Sequence, residues 1–310
     1  MELSLLVLEK IAGLLLMALC GVVLVKTGAI RQQDHDTLSK LCAYIFTPGI
    51  LLSAFLREWT REEKEAVLIA FLVSVVIHLF FLLLNTVFQH LTPLSAVDKG
   101  TLAFTNAGAV IIPLVIGTIG KEYIVFSGAY MVAQNMLVWT YGVITIGRQK
   151  IQLKRVFTTP AILAIIAGAL LMLLDVRVPQ GLADVISDLG ACMAPVSLIL
   201  IGIVCAGTGL EQFRSMPGLV KVTVMRLLLY PLLSLPILML LSRVIHHSQS
   251  WQILFVMMLC SAGPGAVLVP QVAQIYRNEQ ERASYLNVIT TVCCAVTMPL
   301  ITLIAQMVLL

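Results

Sequence analysis

The chain has 310 residues, of which 59% are hydrophobic and 12% charged, with a formal net charge of +4 and a mean hydropathy of +0.99. Soluble domains carry about 25% charged residues, so this composition describes an integral membrane protein and excludes a separate soluble catalytic domain. The small positive excess sits on loop lysines and arginines, which removes a nucleic-acid-binding reading. The seven cysteines (Cys20, Cys42, Cys192, Cys205, Cys260, Cys293 and Cys294) fall in apolar runs without metal-ligand spacing, as small packing residues.

The opening MELSLLVLEK has no positive n-region and no small-residue cleavage site, and is expected to begin the first span. About 20 apolar residues cross a bilayer as helix. On that rule ten spans are expected, at 3–25, 38–56, 66–88, 100–119, 124–147, 158–175, 183–208, 218–241, 252–276 and 283–308. They divide into a first five-helix half (1–147), a cytoplasmic linker (148–157) and a second half (158–310). With five spans per half, the second half is inverted relative to the first. The expected fold class is therefore all-α and membrane-embedded, ten transmembrane helices in two inverted repeats.

Lysine and arginine counts set the orientation. Odd-numbered loops hold Lys26, Arg31, Lys40, Lys99, Arg148, Lys150, Lys154, Arg155, Arg214, Lys221, Arg277 and Arg282; even-numbered loops hold Arg57, Arg61, Lys64, Lys121, Arg177 and Arg243. The twelve-to-six bias puts odd loops in the cytoplasm and both termini outside. Lys10 and Arg226 lie within spans, close enough to an end that snorkelling to the interface is the expected behaviour of both.

The fourth and ninth spans are broken. TNAGAVIIPLVIGTIG (105–120) places Asn106, Gly108 and Pro113 inside an apolar segment, and Pro removes a helix hydrogen bond and clashes with the preceding turn. Freed backbone groups in hydrocarbon are tolerated only where they face protein or a water-filled cavity. Ser261, Gly263, Pro264, Gly265 and Pro270 interrupt the ninth span in the same way. Shifted by 157 positions, Gly108-Ala109-Val110 falls on Gly265-Ala266-Val267 and Pro113 on Pro270; IAGLLLM (11–17) recurs as IAGALLM (166–172) at an offset of 155. Paired broken spans at matching places in two halves are the sequence pointer to a transporter's binding site. An amide at Asn106 and exposed half-helix N-termini suit a carboxylate that must bind and then leave. Gln134 and Asn135 lie mid-way along span five, on different helix faces, so one of them is expected to reach the cavity, with Trp139 and Tyr141 read as cavity or interfacial-belt residues. Pro48 and Pro195 kink spans two and seven, and Tyr44 could face the same cavity. His78 is the ionisable residue deepest in an apolar span, with satisfaction by a neighbouring helix weighed equally against proton coupling. No pair of mid-span carboxylates is present, which weakens a coupled or enzymatic reading.

The order of these features resembles the auxin efflux carrier family, bacterial-type members included. The resemblance is carried by Asn106…Pro113-Leu114 with Gly108, by Pro264 followed by Ala273-Gln274-Ile275-Tyr276, by Gln134, by RLLLYPLLSLP (226–236) and by Pro299. Ile111 stands where family members often have glycine, and CSAGPGAVLVP (260–270) has no clear counterpart of the plant carriers' second substrate asparagine. The resemblance implies the fold shared with bile-acid symporters: a scaffold of spans 1, 2, 6 and 7, a transport domain of spans 3–5 and 8–10, broken helices 4 and 9 crossing at the substrate site, and elevator-type alternating access. The expected function is secondary transport of a small organic anion, a carboxylate, as efflux or uniport. A sodium- or proton-coupled symporter and a non-transporting sensor remain as alternatives. The expected substrate-binding residues are Asn106, Gly108, Pro113, Gln134, Asn135, Ser261, Gly263, Pro264, Gly265, Pro270 and Tyr44, with no catalytic residue, metal or cofactor. The expected partners are the anion, the lipid bilayer and, through the scaffold, a second copy of the chain. The expected location is a plasma membrane, the bacterial inner membrane by size and family.

Overall fold

The structure, a computed structural model, describes residues 2–149, 158–206 and 216–309. Most of the expected linker Arg148–Phe157, and Arg214 of the orientation count, lie outside the described residues. Helices make up the fold, and among the described residues the one β feature is an isolated antiparallel bridge between Thr105 and Gly265. Among the described residues, four helical stretches, Arg61–Leu91, Gln180–Ala206, Leu219–Val244 and Gln280–Ala305, are long and apolar enough to cross a membrane.

In chain order the helices are α1 Glu2–Lys26, α2 His35–Leu41, α3 Thr47–Ser53, α4 Arg61–Leu91, α5 Ala96–Ala103, α6 Ile112–Thr118, α7 Ile124–Leu137 and α8 Val143–Thr145. There follow α9 Pro160–Leu173, α10 Gln180–Ala191, α11 Met193–Ala206, α12 Leu219–Val224, α13 Tyr230–Val244, α14 Ser250–Ala262, α15 Leu268–Ile275 and α16 Gln280–Leu309. Wider π-turns occupy Cys42–Phe46, Ala107–Ile111, Val138–Gly142 and Met225–Leu229. Three of them end two residues before a proline: Pro48, Pro113 and Pro231. The cause is local, because the proline ring cannot donate to and collides with the preceding turn, which widens to let it in. Pro195 lies in the first turn of α11, just after the helix is interrupted at Cys192.

Two packing groups emerge. In the first, α1 lies along α11 and α3 packs on α9 and α10. Gly21 and Gly202 meet where α1 crosses α11, and a Cβ on either would strike the other helix's backbone. Small residues allow such close approach where apolar burial alone no longer drives association. In the second group α4 packs on α7 and α14, and α13 on α14 and α16. The fully buried large side chains Arg226, Tyr130, Tyr230, Phe81, Phe104 and Phe126 all belong to this second group. The groups touch where α1 meets α6 and α16, and where α11 meets the π-turn Ala107–Ile111.

Polar pairs tie the loops at both ends. At one end, Ser95 and Asp98 form a reciprocal cap on α5. Arg282 donates to both Asp98 oxygens at 2.8 and 3.1 Å, and Ser95 Oγ donates to Glu279 at 2.5 Å. At the other, Thr60 and Glu63 cap α4 in the same manner, and Lys64 pairs with Asp175 at 2.7 Å.

Candidate functional site

Both predicted breaks are present, and they meet. After α5 the backbone is extended at Phe104 and turns helical again from Ala107; after α14 it is extended at Gly263 and turns helical again at Leu268. The two extended pieces run antiparallel. Asn106 N–H donates to the Pro264 carbonyl at 2.8 Å, and Ala266 N–H donates to the Phe104 carbonyl at 3.0 Å. Pro270 falls in the first turn of the helix after its break, where the missing donor costs nothing, whereas Pro113 lies beyond the π-turn Ala107–Ile111 that widens to admit it.

Side chains from the second helix after each break grip the bridge residues. Gln134 on α7 accepts from Thr105 N–H at 2.7 Å through Oε1 and donates to the Thr105 carbonyl at 2.8 Å through Nε2. On α16, Thr290 Oγ1 accepts from Gly265 N–H at 3.0 Å, and Asn287 Nδ2 donates to the Gly265 carbonyl at 2.8 Å. Buried backbone groups need such partners, so the extended pieces persist without a sheet.

Arg226 corrects an expectation. It does not snorkel: its side chain is fully buried in the π-turn Met225–Leu229. Its Nη1 donates to the Leu102 carbonyl at 3.0 Å, its Nη2 to Ser261 and Gly263 at 2.7 and 2.9 Å, and its Nε to Gly263 at 3.0 Å. The guanidinium carbon stands 5.5 Å from the centre of the Phe81 ring. These carbonyls end α5 and α14, whose last turns have no helical partners of their own. An arginine retains its charge in any protein environment. Among the described residues Asp98 is the only buried acid, and it is held by Arg282. A full positive charge therefore stands behind the paired breaks, met by carbonyl dipoles and not by a carboxylate.

The remaining candidates divide. Asn106 is buried at the break itself. Ser261, Gly263, Pro264 and Gly265 contribute backbone: Ser261 Oγ bonds the Met257 carbonyl of its own helix, leaving its carbonyl to Arg226. Gly108 faces Met131 of α7 and Met193 of α11, where the two packing groups touch. Of the adjacent amides, Gln134 reaches the break while Asn135 turns back to the Met131 carbonyl of α7. Tyr44 is exposed on its π-turn, and Trp139 is buried, which takes it out of an interfacial belt. His78 donates through Nδ1 to the Ser74 carbonyl, 2.7 Å away on its own helix, and its ring centre lies 4.4 Å from that of Tyr130. Cys42, Cys260 and Cys294 are buried, while Cys20 and Cys192 are exposed. An apolar cavity of about 220 Å³ lies between the groups, walled by Leu15, Val110, Leu198, Gly202, Thr291 and Cys294, so the first break contributes one wall through Val110.

Sequence reasoning misjudged Arg226 as a snorkelling residue and missed Asn287 and Thr290. Asn287 and Thr290 carried a faint signal, being three residues apart and so on one face of an otherwise apolar helix.

Comparison with known proteins adds one match. A family model described as a membrane transport protein covers residues 6–155 and 147–302. Comparison with curated proteins finds no match.

Proposed function

This chain belongs to the membrane transport protein family, that of the auxin efflux carriers, and from that premise we propose that it is a secondary transporter of a small organic anion, a carboxylate. The observation that carries the reading is the pairing of Thr105 with Gly265 backed by the buried Arg226. Two helices stop, exchange backbone hydrogen bonds and restart, with a cation behind them and, among the described residues, no acid to neutralise it. The restarting helices turn the positive ends of their peptide dipoles toward the break. An anion arriving there meets partial positive charge and the amide of Asn106, none of which grips it as a neighbouring lysine would.

In this reading ten spans form two inverted five-helix halves, and the two packing groups are the scaffold and the moving transport domain of an elevator. The nearness of Gly108 to Met193, and of Val110 to the apolar cavity, supports reading the first break as lying on the boundary of such a movement. Both termini face the outside of a plasma membrane, and the scaffold offers the surface for a second copy of the chain. Asn106, Gly108 and Pro264 line the substrate; Gln134 holds the break that presents them.

The test is counterflow uptake of labelled mono- and dicarboxylates and aromatic acids into liposomes carrying the purified protein. The account expects uptake of one anion class, at least about tenfold slower in Asn106→Ala, a loss of the size given by one hydrogen bond to a charged group. Binding of an anion without any flux would replace the transporter with a sensor.

A further inference from the structure

In sodium-coupled carriers, unwound carbonyls and half-helix C-terminal ends coordinate the metal ion. This chain has such a set of carbonyls, and a side chain fills it. Leu102 is the penultimate residue of α5, Ser261 the penultimate residue of α14, and Gly263 its C-cap. Their three oxygens converge on one guanidinium at 2.7 to 3.0 Å. A helix C-terminus carries about half a negative elementary charge, so two of them together call for about one positive charge, which Arg226 supplies. Nothing else nearby does that work: among the described residues no group of three His, Cys, Asp or Glu side chains is assembled to hold a metal. The one buried acid, Asp98, is engaged with Arg282.

We propose that Arg226 is a tethered counter-cation: its guanidinium occupies the carbonyl cage that a coupled carrier would give to a monovalent metal ion, so the crossover closes on its anion without sodium or potassium. The proposal rests on the transport reading above and adds the coupling mode, separating uniport from cation symport. It also assigns Arg226 a positioning role, since it touches the ends of both broken helices and not the substrate.

The experiment measures thermal stability and carboxylate binding of the purified full chain in choline, sodium, potassium or sub-denaturing guanidinium chloride at equal ionic strength. The wild type should melt at one temperature and bind with one affinity in choline, sodium and potassium. Arg226→Ala should melt lower in choline and bind the anion about tenfold or more weakly, the usual scale of coupling between two sites. Guanidinium, and to a lesser degree sodium or potassium, should restore both saturably. Arg226→Lys should fall between the two and ignore the ions. A side chain that merely packed would show no ion-specific rescue. Sodium-dependent binding by the wild type overturns the proposal, as does an Arg226→Ala protein that no cation rescues or that no cation allows to fold. A wild type indifferent to cations that binds an anion and moves none would sink the transport reading while leaving the tethered cation in place.

Discussion

Thr105 and Gly265 face each other as an isolated antiparallel bridge, and each has both of its backbone groups held by side chains from the second helix after its break, α7 for Thr105 and α16 for Gly265. The arrangement answers the constraint that hydrocarbon places on irregular backbone: every freed group must find a partner inside the protein. It also fixes the two half-helix pairs relative to each other, which a lone proline kink would leave loose.

Gln134→Leu removes the partners of both Thr105 groups at once. Each buried unsatisfied group costs about 1–3 kcal/mol, so the variant should lose about 2–6 kcal/mol of stability, read as a lower melting temperature in detergent. An unchanged melting temperature with weaker anion binding would instead make Gln134 a direct substrate contact.

The same logic applies on α16. Thr290→Val keeps the shape and deletes the acceptor for Gly265 N–H, and Asn287→Leu deletes the donor to its carbonyl. Each should cost about 1–3 kcal/mol. Because both act on one residue, the double variant should depart from additivity, and strict additivity in a thermal-unfolding cycle would argue against the shared clamp.

Gly265 is there for room. An added Cβ would sit 3.0 Å from Thr101 Cγ2 and 3.3 Å from Thr290 Oγ1. Gly265→Ala should therefore destabilise by about 1–3 kcal/mol through overpacking, and Thr101→Ser, which removes the offending methyl, should recover part of that loss. Failure of the second substitution to help would place the strain elsewhere.

Two ion pairs should behave differently. Arg282–Asp98 has side chains 18% and 4% exposed, whereas Arg61–Glu65 has 94% and 55%. Asp98→Asn should cost about 1.5–3 kcal/mol, since it weakens charge-assisted bonds and the cap on α5 together. Arg61→Gln should stay within about 0.5 kcal/mol. Equal melting shifts for the two would contradict the burial difference.

Proline and glycine wrote the second break into the sequence at Gly263-Pro264-Gly265, because what they do to a helix is a property of the backbone and needs no partner. The first break opens at Phe104–Asn106, ahead of Gly108 and Pro113, so those two residues marked its neighbourhood and not its position. The pairing of the breaks was not legible. The bridge sets Thr105 opposite Gly265, an offset of 160, while the matched sequence repeat sets Gly108 on Gly265 at 157; one relates residues that touch, the other residues that resemble. Arg226 was misjudged because distance along a helix from its end says how far a side chain must reach and not which way it points. Its partners are carbonyls, which every residue possesses and no sequence advertises. The clamps from Asn287 and Thr290 were hidden likewise, polar residues in an apolar helix whose purpose is set by what packs across from them.

The measurement that bears most directly on the account is charge movement on a solid-supported membrane carrying the purified protein. Carboxylates would be added with and without a sodium gradient, for the wild type and for Asn106→Ala. The account predicts a current with one class of anion, lost in Asn106→Ala and indifferent to sodium. A current that requires sodium, or none at all from protein shown to bind the anion, would contradict it.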